Sequence, residues 1–331
     1  MPILDRRHDL AHPVESDRAW SESYYFNAYD PPSDTGFFTR IGIRPNEGTV
    51  DVGLSVWMPG DELAEYRFLR SQPHMIDTIL AVGAVRYEMI EPMAAWRLTM
   101  DGETLVRPCR DRAASGRPAP IALDVTFSAL TPAVGVDGQG RAVRAADASA
   151  STAASTGKGH LEQAGRWTGW LAVDGTRHEW SEARGNRDKS WGPRRWGGPR
   201  VWRWFSINVG DDTHFGGIRI GTDAGDLHRG WMWRDGRATS IREWRVRTEV
   251  EDDGVTHRTT HVQAIDKTGG EHGLRGDVLR VASVGFPGRS GTATVVNEGL
   301  TRWTYEGRTG FGIAEYLHQL DDDGRPVAGV E

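Results

Sequence analysis

Residues 184–196, RGNRDKSWGPRRW, hold one acid, Asp188, among Arg184, Arg187, Lys189, Arg194 and Arg195. Trp191 and Trp196 stand on either side of the Gly192-Pro193 break. Two kinds of chemistry fit this mixture. A carboxylate gripped by arginine can form a buried salt bridge that closes the end of a β-barrel, or an Arg–Asp clasp that orients a loop. A carboxylate between cations is normally a poor acid, whereas one buried against an aromatic wall becomes a proton donor. Lys189 is either a desolvated partner in such a pocket or a surface lysine.

Further candidates lie on strand-like runs. In GFGIAEYLHQ, Glu315 shares a face with Phe311, Ile313 and Leu317 if the run is extended, and Tyr316 and His318 share the other. A carboxylate on an apolar face must be paired, protonated or functional. Trp202 and Trp204 occupy one face of their strand, as do Trp231 and Trp233 of theirs. Each pair is either core or an aromatic wall whose π-faces favour a cationic ligand. His160 and Glu162 share a face at the start of HLEQAGRWTGW, followed by Gln163; Tyr24, Tyr25 and Asn27 lie in SYYFNAYDP, an aromatic arm of the kind that plugs a barrel mouth or a domain interface. The acid/base set is therefore Asp188, Glu315, Lys189 and His318. The ligand-binding set is Trp191, Trp202, Trp204, His160, Glu162, Tyr24, His214 and Tyr316.

The elements that must position these residues are strands. GFFTRIGIRP (36–45) and TVDVGLSVWMP (49–59) alternate apolar and polar residues around Asn46-Glu47-Gly48. Asp101-Gly102 and Asp174-Gly175 read as hairpin turns. Strands recur at intervals of roughly 8–12 residues to the end of the chain, as in a barrel or sandwich. A short helix is expected over Met75–Leu80. Residues 136–158, rich in Ala, Ser and Gly, read as a linker or loop, because they bury too little to offset ordering entropy. This divides the chain into a β-domain over 1–135 with an irregular arm, and a second over 159–331.

Composition narrows the function. The chain has 331 residues, 41 of them Gly and 14 Trp, with 38% hydrophobic residues. That suits many half-exposed strands rather than a helical bundle. A net charge of −6 offers no basic face for nucleic acid. The lone Cys109 permits no intrachain disulfide, which suits a reducing compartment. The N-terminus lacks a signal-like apolar segment, and no run approaches the roughly 18–20 apolar residues of a membrane span. A cytoplasmic protein is the expectation. There is no dinucleotide fingerprint, Walker loop, H-E-x-x-H or G-x-S-x-G. His257 and His261 share a strand face without a plausible third ligand, so neither metal nor cofactor is expected.

The blocks SYYFNAYDPPSDTGFFTRIGIRPNEG, HLEQAGRWTGWLAVDG, GNRDKSWGPRRW and GRTGFGIAEYLHQLD together resemble bacterial proteins related to the carotenoid 1,2-hydratase and AttH-like group. The resemblance implies two lipocalin-like (calycin) β-barrels side by side. It also implies cofactor-free protonation of an alkene followed by addition of water. Functional residues in that group include a His-x-Trp unit in an RDHSWG-like motif and a downstream Tyr-x-Asp. Trp191 matches the Trp, Lys189 stands at the His position, and the strand His214–Ile220 offers no Tyr-x-Asp. The resulting expectation is an acid/base enzyme, of hydratase, isomerase, cyclase or lyase type, for a hydrophobic isoprenoid-like or aromatic small molecule. The alternatives are a carrier for a lipid-like ligand and a structural protein with a filled barrel. The enzyme requires a carboxylate without an Arg partner; the carrier has every carboxylate paired to Arg.

Overall fold

The computed structural model describes residues 3–71, 79–109, 111, 114–138, 157–196, 198–222, 225–287 and 293–330. Among these, 3–138 and 157–194 belong to one compact unit and 195–330 to the other. Most of the described residues lie in antiparallel β-strands, as the alternating pattern implies.

The first unit contains β1 (Trp20–Asp30), β2 (Thr35–Arg44), β3 (Thr49–Met58), β4 (Glu62–Ser71), β5 (Ile79–Val82), β6 (Val85–Glu91), β7 (Ala95–Pro108), β8 (Arg117–Ala129), β9 (Val134–Val136), β10 (Gly159–Val173) and β11 (Thr176–Pro193). They form one sheet in the order β4-β3-β2-β1-β11-β10-β8-β7-β6-β5, with β9 paired to β10 off this path, and a β4–β7 pairing brings the sheet back on itself. Its core is aromatic. Trp167 lies 5.9 Å from Phe26, 5.2 Å from Phe37 and 5.3 Å from Phe127 between ring centroids, at edge-on angles. Such pairs each add about 0.5–1.5 kcal/mol beyond area burial.

Residues 159–193, which composition assigns to the second domain, are thus β10 and β11 of the first sheet. The compositional break at 136–158 is an excursion between β9 and β10, and 139–156 lie outside the described residues. Asp101-Gly102 is not a turn. Both residues continue β7, opposite Ala122 and Ile121, and neither has the positive φ that a tight two-residue hairpin requires. Asp174-Gly175 does turn, at φ 52° and 80°. Of the helix expected over Met75–Leu80, residues 75–78 lie outside the described residues, while Ile79 and Leu80 begin β5.

The second unit is a closed eight-stranded barrel: β12 (Val201–Val209), β13 (Thr213–Thr222), β14 (Gly225–Arg234), β15 (Arg237–Val250), β16 (His257–Asp266), β17 (Glu271–Pro287), β18 (Ala293–Tyr305) and β19 (Arg308–Leu320). Phe205, Phe215, Trp244, Trp303 and Tyr316 belong to its core. No described helix is long and apolar enough to cross a membrane.

Candidate functional site

The motif that opens the sequence lies on β11, between β1 and β10. Strand alternation divides it in two. Arg187 and Lys189 stand opposite Phe26 and Tyr24, which belong to the hydrophobic core of this unit, so they and Trp191 point inward. Asp188 and Ser190 point outward. Asp188 is therefore not clasped by Arg187, its neighbour in sequence, because the two leave the strand on opposite faces.

The inward side chains hold the N-terminal arm. Arg187 pairs with Asp9 through two hydrogen bonds and donates from Nε to Gln163 at 2.6 Å. Asp9 and Arg187 are 0% and 2% exposed. Lys189 Nζ lies 2.6 Å from Glu22 and donates to the carbonyls of His8 and Leu10 at 2.9 and 2.7 Å. The rings of His12 and His8 stack on Trp191, with centroids 3.8 and 5.3 Å away. Burial pushes the Lys189 ammonium below its ordinary pKa, against the opposing pull of Glu22 and Asp9. Burial, with the positive charges of His12 and Arg7, also lowers that of His8. Gly159 is required here, since a Cβ on it would overlap the Trp191 ring. Arg187, rather than Asp188, thus supplies the buried salt bridge of the motif. Lys189, Trp191 and Tyr24 are turned away from Asp188 and grouped with the arm.

On the outward face, Asp188 meets His160 and Glu162 of β10. Glu162 is directly opposite Asp188 and His160 opposite Ser190, so all four share one face. His160 Nε2 contacts Asp188 Oδ2 in a short hydrogen bond and lies 3.5 Å from Glu162 Oε1. The Glu162 side chain is 2% exposed and that of His160 27%. Burial opposes charge on the imidazole and Arg194 adds to that, but the charge and hydrogen bond of Asp188, with Glu162 behind them, outweigh both. The pKa of His160 is raised. With its edge open to solvent, His160 is incompletely desolvated, which reinforces that direction. The same cross-strand row continues from Asp188 to Tyr25 and Arg40. Tyr25 is stacked with Phe38 at 6.3 Å and 21°. The result is an imidazole between two carboxylates, beside an aromatic pair.

In the second unit, Glu315 points outward, opposite Trp204, and accepts a 2.5 Å hydrogen bond from Trp202 Nε1. Glu298 is its cross-strand neighbour on β18. Tyr316 points inward. Its hydroxyl contacts Thr248 and Thr260 at 2.6 and 3.0 Å, its ring stacks on His257, and the Arg203 guanidinium lies 4.2 Å from its centroid. His318 shares that inward face and is fully buried. His214 engages Asn208 Oδ1 at 2.8 Å and the Asp211 carbonyl at 3.1 Å, both within the β12–β13 hairpin. An open depression of about 590 Å³ on this unit is lined by Arg245, Arg247, His261 and Arg275 among others, and none of the candidate residues borders it.

Alternation in HLEQ was the signal that His160 and Glu162 belong together. Nothing in the sequence marked Asp9, His8, His12 or Glu22 as partners of the motif, nor Glu298 as the neighbour of Glu315. Each of these contacts crosses strands or joins segments far apart in the chain.

Two antiparallel β-units, one of them a closed eight-stranded barrel, define a two-domain lipocalin-like protein. The chain belongs to the family described as a domain of unknown function, DUF7064, whose model matches residues 5–320. No curated protein matches it. Among solved structures it is similar to kievitone hydratase from Nectria haematococca, at a TM-score of 0.57 and 11% identity over 89% of this chain and 88% of that one. It is also similar to CghA, crystallised with Sch210972 (TM-score 0.56, 10% identity) and in a second structure (TM-score 0.56, 12% identity), over 92% of this chain and 89% of each. These likenesses establish the shared fold.

Proposed function

We propose that this protein is a cofactor-independent acid/base enzyme, of hydratase, isomerase, cyclase or lyase type, acting on a hydrophobic isoprenoid-like or aromatic small molecule. The observation that carries this reading is His160 held between Asp188 and Glu162 on the outward face of β10 and β11. The ion-pair partner of Asp188 is an imidazole, not a guanidinium, which is the arrangement a proton donor needs and a carrier does not. The hydratase among the structural neighbours supports hydration or dehydration within this group.

In the hydration direction, the His160 imidazolium gives its proton to one alkene carbon and a C–H bond forms. Water attacks the resulting cation, and its surplus proton returns to His160. Asp188 and Glu162 hold the imidazole oriented and favour its charged form before transfer. Tyr25 and Phe38 offer π-faces to the cationic centre. General acid–base catalysis of this kind contributes about 10²–10⁴-fold, and positioning supplies the rest.

The test starts from any small molecule that mass spectrometry finds co-purifying with the protein, offered as substrate or product. His160→Gln should reduce turnover by about 10²-fold or more, and Asp188→Asn by less, with unfolding midpoints unchanged. Full turnover by a folded His160→Gln enzyme would sink this assignment.

A further inference from the structure

We infer that His160, Glu162 and Asp188 form a binding site for a divalent transition-metal cation of the Zn²⁺ class. One donor atom from each of the three residues lies within 4.8 Å of the others. All three project from one face of two paired strands, so the backbone ladder fixes their spacing before any ligand arrives. Zn²⁺ binds imidazole nitrogen and carboxylate oxygen at about 2.0–2.2 Å, which places two ligands of a tetrahedral ion about 3.4 Å apart. His160 Nε2 and Glu162 Oε1 are 3.5 Å apart, and the short His160–Asp188 hydrogen bond has to open, with loss of its proton, to admit the ion. A neutral imidazole with two carboxylates carries two negative charges, enough to neutralise the ion.

The donor types select the metal. Imidazole suits Zn²⁺ and its neighbours, whereas Mg²⁺ prefers oxygen ligands alone. Arg194, whose charge acts on His160 and whose guanidinium donates to Ser190 at 3.0 Å, opposes any cation here and tempers the affinity. With three protein ligands on one side, the fourth position is left for water or a ligand oxygen, as in open zinc sites. The site stands on geometry alone. Its consequence for turnover rests on the acid/base reading: Zn²⁺ occupies the nitrogen that would carry the proton, so it inhibits.

The experiment is calorimetric titration of the chelator-treated full chain with ZnCl₂ and, separately, MgCl₂. One Zn²⁺ per chain is expected, with far weaker Mg²⁺ binding. His160→Ala, Glu162→Gln and Asp188→Asn should each weaken Zn²⁺ by at least roughly tenfold while circular dichroism shows native β-structure. No Zn²⁺ binding, or binding unchanged in folded His160→Ala and Asp188→Asn chains, overturns the site. If one variant fails to fold, the other two decide. Zn²⁺ binding with full turnover by His160→Gln would keep the metal site and remove the acid/base role; the converse would do the opposite.

Discussion

Lys189→Met tests whether the motif lysine is an anchor for the N-terminal arm. The ammonium is 1% exposed and lies 2.6 Å from Glu22, which is 0% exposed. Methionine keeps most of the volume but leaves the buried Glu22 carboxylate with only a hydrogen bond from the His12 ring, 3.0 Å away, on that side. Removing one member of such a pair costs about 3–5 kcal/mol, because the other charge stays buried and uncompensated. At about 2–4 °C per kcal/mol for a domain of this size, the first unit should melt roughly 6–20 °C lower. Replacing both partners, as Lys189→Met with Glu22→Gln, removes the stranded charge and should recover a substantial part of the loss, giving a coupling energy of about 1 kcal/mol or more. Urea unfolding followed by tryptophan fluorescence measures this, with an unchanged m-value confirming that the comparison is of stability alone. A Lys189→Met chain with the wild-type midpoint would refute the buried-pair account. If that stable chain also lost turnover, Lys189 would have to reach the ligand, against its inward direction on β11.

Two further outcomes follow from single residues. Asp266 is held at a pKa of about 2: burial works to raise it, but the Thr268 hydroxyl, the Gly270 N–H, His272 and the Thr268 N–H outweigh that. Its folded value is thus below the unfolded ~3.9, so its contribution of about 2 kcal/mol is present above pH ~4 and lost as pH falls toward 2. Asp266→Asn should be less stable than wild type by about that amount at pH 7, with the gap closing in acid; a gap independent of pH would contradict it. Gly159→Ala drives a Cβ into the Trp191 ring and should destabilise by about 1–3 kcal/mol. Near-ultraviolet circular dichroism should register the displaced indole, and an unaltered spectrum would mean that Trp191 is not packed against β10.

Much of the fold was legible because strands write themselves in alternation. The runs at 36–45 and 49–59 became β2 and β3, and the Asp174-Gly175 turn joins β10 to β11. Asp101-Gly102 misled because a turn dipeptide is a local preference, and pairing with β8 overrode it. The domain boundary misled for a similar reason. A composition break marks where chain is loosely held, not which sheet the next strand joins, and β10 and β11 return to the first.

The sequence by itself determined which residues alternate together. Asp188 and Lys189 had to leave their strand on opposite sides, and His160 had to share a face with Glu162, because the two-residue period of a strand is a covalent property. It could not determine which side is the core or which segment crosses to meet it. Only the tertiary structure turned Arg187 and Lys189 inward to the arm and set Asp188 beside His160. Those choices rest on β11 lying between β1 and β10, and on an arm whose Asp9 is 178 residues from Arg187 in sequence. Contacts at that separation follow from burying the aromatic core and neutralising the charges trapped with it, and no local pattern of residues records them.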